Sequence, residues 1–204
     1  MAEEIETDKA EQISLIVFQI VGSTPLLMHN IEGMGKPRTE RPVDEKSTRP
    51  DPESDWARGE SEPSVYRLPD KQLYMPTAAF LKGLIVKGTK GKKFGKFTGR
   101  DVIGAAVTPM ESECRLYDSN TGKKITKYEV HVAPVRIGSS RIWRCRPMVR
   151  SWACDLPVML DEHWLNRNNL QEMWNVAGVV AGAGDWRPEK MGSHGKYQVS
   201  IRKN

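Results

Sequence analysis

The residues best suited to chemistry in this chain are cations set among glycines, and they fall in three stretches. Residues Lys87 to Arg100 read KGTKGKKFGKFTGR, placing Lys87, Lys90, Lys92, Lys93, Lys96 and Arg100 beside Phe94 and Phe97 with no acid among them. Lysine gives phosphate a point charge, glycine lets a backbone come close, and an exposed ring stacks on an unpaired base. The pattern Gly-x-x-x-x-Gly-Lys-Ser/Thr is absent, so this is no nucleotide P-loop. The competing reading is a solvated loop whose charge only keeps the protein soluble. Rings interleaved with lysines favour nucleic acid.

The second stretch is RIWRCRPMVRSW, where Arg141, Arg144 and Arg146 lie in a strand-like run. Alternate strand residues share a face, which predicts Arg144 and Arg146 as an arginine row able to grip phosphate or stack on bases. Trp143 and Trp152 are expected in the core, because large aromatics usually pack. The third is GVVAGAGDWRPEKMGSHGKYQV, Gly178 to Val199, with Trp186, Arg187, Lys190, His194 and Lys196 among its glycines. Such a turn suits close approach to an extended strand. Its competing reading is a connection whose glycines only satisfy turn geometry.

Catalysis finds less support. His29, His131, His163 and His194 lie far apart and none has metal-ligand spacing. No nucleophile elbow is present, and no cofactor signature or metal site is expected. Asp44, Asp51, Asp55 and Asp185 are the acids that would assist RNA cleavage in a metal-dependent endoribonuclease. Cys114, Cys145 and Cys154 are too few and scattered for a disulfide framework, and read as buried thiols of a reducing cytoplasm.

Charge is unevenly spread. Lys82 to Arg150 holds sixteen Lys or Arg against five Asp or Glu, a net of +11, while the remainder carries fifteen against twenty-one, a net of −6. Such segregation is the footprint of a polyanion binder, unless folding mixes the charges again. No run of apolar residues is long enough to span a membrane, and the acidic start MAEEIETDKAEQ matches no signal or transit peptide.

Positioning these stretches requires a scaffold. ISLIVFQIV, Ile13 to Val21, is apolar on both faces, which predicts a central strand covered on both sides. Residues 31–69 are polar, charged and aperiodic, and predict a long inserted loop in a single domain of residues 1–204. Thr77 is expected to cap a helix through Val86, with Phe80, Leu84, Ala79 and Ile85 inward. A hairpin is expected around Ser119-Asn120-Thr121-Gly122, then strands at RIWRCRPMV and RSWACDLPVML. Asn169 is expected to cap a helix burying Leu170, Met173, Trp174, Ala177 and Val180, which Gly182 stops, and KYQVSIRK closes as a strand. This order points to an α+β, ferredoxin-like antiparallel sheet with helices on one face.

The third of these stretches, with two segments nearer the N-terminus, resembles a family. GAGDWRPEKMGSHGKYQV is similar to the glycine-rich loop of the RAMP superfamily, the repeat-associated proteins that build CRISPR effector complexes. Gly182, Gly184, Arg187, Gly192 and Gly195 occupy matching positions. YMPTAAFLKGLIVKG, which includes Lys82, looks like the family's strand-to-helix junction, and GSTPLLMHN resembles its Thr-Pro-Leu after the first strand. The resemblance implies an RRM-related fold that binds single-stranded RNA through its backbone. It also implies homo-oligomers stacked head to tail along the strand, with other effector subunits as further partners. The chain is similar as well to RAMP-like proteins of phages and prophages.

The expectation is therefore a non-catalytic, cytoplasmic, single-stranded RNA- or DNA-binding protein that assembles along its ligand. The alternatives are the endoribonuclease above and a phage interaction protein whose basic face meets an acidic partner.

Overall fold

The structure is a computed structural model and describes residues 13–31, 33 and 48–202. A run of mostly β-branched and apolar residues forms β1, Ile13–Gly22, whose even-numbered side chains Ile16, Phe18 and Ile20 are buried. Its odd-numbered face is open, and Ile13 and Leu15 are 61% and 62% exposed. The strand is central, but it is covered on one side only, which corrects the expectation of two buried faces.

Four strands build the main sheet: β1, β6 (Val107–Pro109), β10 (Ala153–Asp161) and β11 (Tyr197–Ile201), in the order β11-β1-β10-β6 with every pairing antiparallel. The last strand thus lies beside the first, the third on its other side, and the second at the far edge. With helical segments after β1 and after β10, this is the βαββαβ order of a ferredoxin-like domain. The fold is α+β with antiparallel sheets, as the order of elements suggests.

The helices cover the inner face. α2, Thr77–Gly83, passes directly into a π-helical turn, Leu84–Gly88, and α4 spans Arg167–Val180. α3, Gly99–Ala106, which sequence periodicity does not reveal, is held by a capping box between Thr98 and Asp101. Phe18 packs on Trp174 with ring centroids 5.2 Å apart, and Phe80, Trp152 and Tyr197 complete an aromatic core. Each such fully buried ring contributes about 2–3 kcal/mol of transfer free energy.

Local details differ from expectation. Pro76, not Thr77, precedes α2, and the buried Thr77 hydroxyl donates to the Glu111 carbonyl at 2.7 Å. Asn166 rather than Asn169 caps α4, its side chain accepting from the Asn169 N–H at 2.8 Å. Val180 lies 49% exposed, because the inward stripe of α4 ends at Ala177 and Gly178. Gly182, at φ +67°, ends the helix as expected.

A second sheet, in the order β2-β9-β8, takes two of its three strands from the segment between β6 and β10. It joins β2 (Leu26–Leu27) to a hairpin of β8 (Glu129–Ile137) and β9 (Ser140–Val149). The region 48–69 contains α1, Asp55–Ser61, whose Ala57 packs with Val130, Val132, Cys145, Trp56 and Trp143. Trp143 is therefore half-buried, whereas Trp152 is fully buried. That part of the segment is ordered within one chain; residues 32 and 34–47, with Asp44, lie outside the described residues. Two-residue strands β4 (Lys93–Phe94) and β5 (Phe97–Thr98) pair as a small hairpin, and β3 (Tyr74–Pro76) pairs with β7 (Glu113–Arg115). The hairpin expected at residues 119–122 is instead a tight turn with a single bridge, Tyr117 to Lys124, closed by the Asp118 carboxylate.

Candidate nucleic-acid interface

The loop from Ala181 to Gly195 wraps against its own molecule. A Cβ at Gly195 would lie 1.8 Å from the Ala183 carbonyl oxygen, one at Gly184 2.3 Å from that of Leu27, and one at Gly192 1.8 Å from that of Trp186. Gly184 and Gly195 also hold φ values of +78° and +68°, which glycine adopts without strain. These glycines allow close approach, and the backbone they admit is the protein's own.

Asp185 is the hub of this loop. Its N–H donates to the Leu27 carbonyl at 2.8 Å, tying the loop to β2. Its Oδ2 accepts from Arg146 Nε at 2.9 Å and lies 3.2 Å from His29 Nδ1. These bonds, that to His29 foremost, hold the Asp185 carboxyl well below the usual carboxylate range, against burial. Arg187 donates to Glu189 at 2.8 Å and to the Gly184 carbonyl at 3.0 Å. Arg144 donates to Glu60 at 2.7 Å, a carboxylate only 3% exposed. The row Arg144–Arg146 does share a face, but each guanidinium already holds a carboxylate supplied by the acidic part of the chain. Arg141 stands exposed near the turn of the β8–β9 hairpin.

Two clefts flank Asp185. One, of about 500 Å³, brings Lys82 of α2 together with His29, Tyr66, Gly184, Arg187 and Glu189. The Tyr66 hydroxyl donates to the His29 carbonyl at 3.0 Å. The other, of about 290 Å³, lies against β8 and β9 and is lined by His131, Arg136, Arg144, Arg146 and Trp186. His131, Trp186 and His194 form a ring cluster, with centroids 5.2 Å apart for the two histidines and 5.7 Å for each histidine and the indole. Burial, then the neighbouring His194 charge, lowers the pKa of His131; burial lowers that of His194. Sequence spacing shows no such cluster, because β8 and the loop meet only in the fold.

The lysine-rich stretch has a different character. Gly83 faces Ala181 near the end of α4, Gly88 faces Met173 in its middle, and the Phe97 ring meets Trp164 just before its start. The segment from α2 to the β4–β5 hairpin thus runs antiparallel along α4, a helix about 21 Å long. Lys82 and Lys87 stand near the glycine-rich loop, where Lys87 and Lys190 add to the pull of Arg187 in lowering the Glu189 pKa. Lys90, Lys92, Lys93, Lys96 and Arg100 are exposed at and beside the hairpin. Among the described residues, none of these seven cations makes an ion pair. Phe97 is 50% exposed, while Phe94 is half-buried against the main core. Lys190 is exposed, and Lys196 is held by its N–H donating to Thr24 Oγ1 at 2.9 Å.

Among the described residues no cluster of His, Cys, Asp and Glu could hold a metal ion, and no helix is long and apolar enough to cross a membrane. Asp51 accepts from the Glu53 N–H at 3.0 Å, and Asp55 is exposed in the first turn of α1. No family model and no curated protein matches the chain. Among solved structures it is similar to a chain of the "Cas6 (TTHB231) product complex", at 13% identity and a TM-score of 0.27. The match covers 90% of this chain and 50% of that one, so this chain spans about half of its length. A likeness so loose has no bearing on function.

Proposed function

We propose that this chain binds single-stranded nucleic acid, RNA in the first instance, through a cationic track along α2 and the β4–β5 hairpin. The observation that carries the reading is the set of cations Lys82, Lys87, Lys90, Lys92, Lys93, Lys96 and Arg100, none of which makes an ion pair among the described residues, contrasted with arginines elsewhere that are matched to carboxylates. Leaving seven cations of one sign side by side costs self-repulsion, which a polyanion relieves. Phe97, exposed beside them, adds a ring on which a base stacks.

Assembly of several copies head to tail along the strand, alone or with other subunits, is part of the same proposal. The free edge of β11 is not its connector. Asn175 of α4 pairs with both the N–H and the carbonyl of Val199, and Gln171 accepts from the Ile201 N–H, so side chains cap the edge against strand addition. Binding of a fluorescent oligouridylate across a salt series tests the reading. Affinity falls steeply with salt, with a log–log slope of about −0.7 for each phosphate neutralised. Affinity that stays flat between low and moderate salt overturns it.

A further inference from the structure

The aromatic cleft beside β8 lies off the cationic track and calls for its own account. Trp186 is the notable residue. It holds φ +49°, a left-handed backbone that a bulky residue rarely adopts. The loop enforces it: the Trp186 N–H donates to Asp185 Oδ1 at 2.9 Å, its carbonyl accepts from the His194 N–H at 3.1 Å, and Gly192 packs against that same carbonyl. Strain of this kind persists only where surrounding contacts over-determine it, and here they hold the indole outward, 44% exposed.

The ring is supported from behind. His194 stacks on it at an interplanar angle of 9°, and His131 meets it at 62°. Beside the indole the cleft of about 290 Å³ is floored by Leu27, Ala133 and Pro134 and rimmed by Arg136. That volume lies at the low end for small-molecule pockets, suited to a single planar group. An apolar floor, a fixed aromatic wall and a guanidinium rim are the ingredients of base recognition by stacking.

We propose that the cleft bounded by Trp186, His131 and Arg136 is a subsite for one unstacked nucleobase of the bound strand. The proposal rests on the nucleic-acid-binding reading above and assigns it a place where a base, rather than phosphate, is held. Base stacking is worth about 1–3 kcal/mol, so Trp186→Ala weakens binding of a uridine decamer by about fivefold to 150-fold. Trp186→Phe, which keeps a ring, retains most of the affinity. An abasic ribose-phosphate chain of equal length binds the intact protein and Trp186→Ala alike.

If intact protein and Trp186→Ala bind the decamer equally, the subsite is wrong while the cationic track stands. If neither binds it at any salt, the binding reading fails and the subsite with it. Should Trp186→Ala not fold, the intact protein decides. Millimolar adenosine monophosphate shifts the ring-proton resonances of His131 and His194, whereas ribose 5-phosphate does not; unmoved resonances overturn the proposal.

Discussion

Two regions of this molecule look alike as text. KGTKGKKFGKFTGR and GAGDWRPEKMGSHGK are both basic, glycine-rich and aromatic, and both hold glycines at positive φ. Gly88 and Gly99 at the ends of the first are packed, but the hairpin between them and the loop of the second differ in space. A Cβ at Gly91 or Gly95 meets nothing within 4 Å, whereas one at Gly184, Gly192 or Gly195 collides with backbone oxygen. The cations of the first region stand unpaired among the described residues, while Arg187 of the second and its neighbour Arg146 are held by Glu189 and Asp185. The first is an open hairpin that displays charge. The second is a packed keystone, joining α4, β2 and β9, that displays a ring.

The sharpest way to break this contrast is at the glycines. Gly195→Ala introduces both a steric overlap and left-handed strain, and is expected to cost about 3 kcal/mol or more. Gly95→Ala, at φ +59° in open space, costs only about 1–2 kcal/mol. Urea denaturation of the two variants measures the difference, and equal losses would mean that the keystone packing is absent.

The next effect separates structural from displayed charge. Arg144→Ala removes one ion-pair partner of buried Glu60 and is expected to cost up to about 3 kcal/mol of stability. Joint replacement of Lys92, Lys93 and Lys96 by Ala leaves stability within about 0.5 kcal/mol at each site. It lowers the salt dependence of RNA binding by about 0.7 in slope per lost contact. Thermal melts paired with anisotropy titrations read both quantities.

Phenylalanine truncation sharpens the account of the hairpin. Phe97→Ala loses an edge-to-face contact with Trp164, about 1 kcal/mol, and weakens strand binding as well. Phe94→Ala lowers stability more and affinity less, since its ring packs against the core. A reversed order in the two assays would exchange their roles.

The smallest effect is acid sensitivity. His131 and His194 have lowered pKa values in the fold, so the native state binds protons less readily than the unfolded chain. Their stabilising contribution is complete above the ordinary histidine pKa near 6.5 and is lost as pH falls through the lowered values. Asp185, also lowered, stays charged throughout that range and adds no slope there. The melting temperature therefore drops modestly from pH 7 to pH 5, and His131→Asn flattens the drop.

What the sequence determined by itself is what depends on near neighbours along the chain. The β-branched, apolar run Ile13–Gly22 specifies a strand, and the spacing of Leu170, Met173, Trp174 and Ala177 specifies an amphipathic helix. Gly182 marks its end, and together these elements imply the ferredoxin-like order. The charge displayed by the lysine-rich stretch was legible too, because a solvated cation needs no partner to be recognised, whereas its β4–β5 hairpin was not. What only the tertiary structure decided is everything that depends on a distant partner. Whether Arg144, Arg146 and Arg187 meet phosphate or carboxylate turned on where Glu60, Asp185 and Glu189 arrive. Whether Gly184 and Gly195 stand open or packed turned on the path of Leu27 and Ala183. The cluster of His131, Trp186 and His194 exists because the β8–β9 hairpin folds against the loop after α4. Charge and close approach act through space at a few ångströms, and residue spacing carries that information only within one helix turn or one strand pleat.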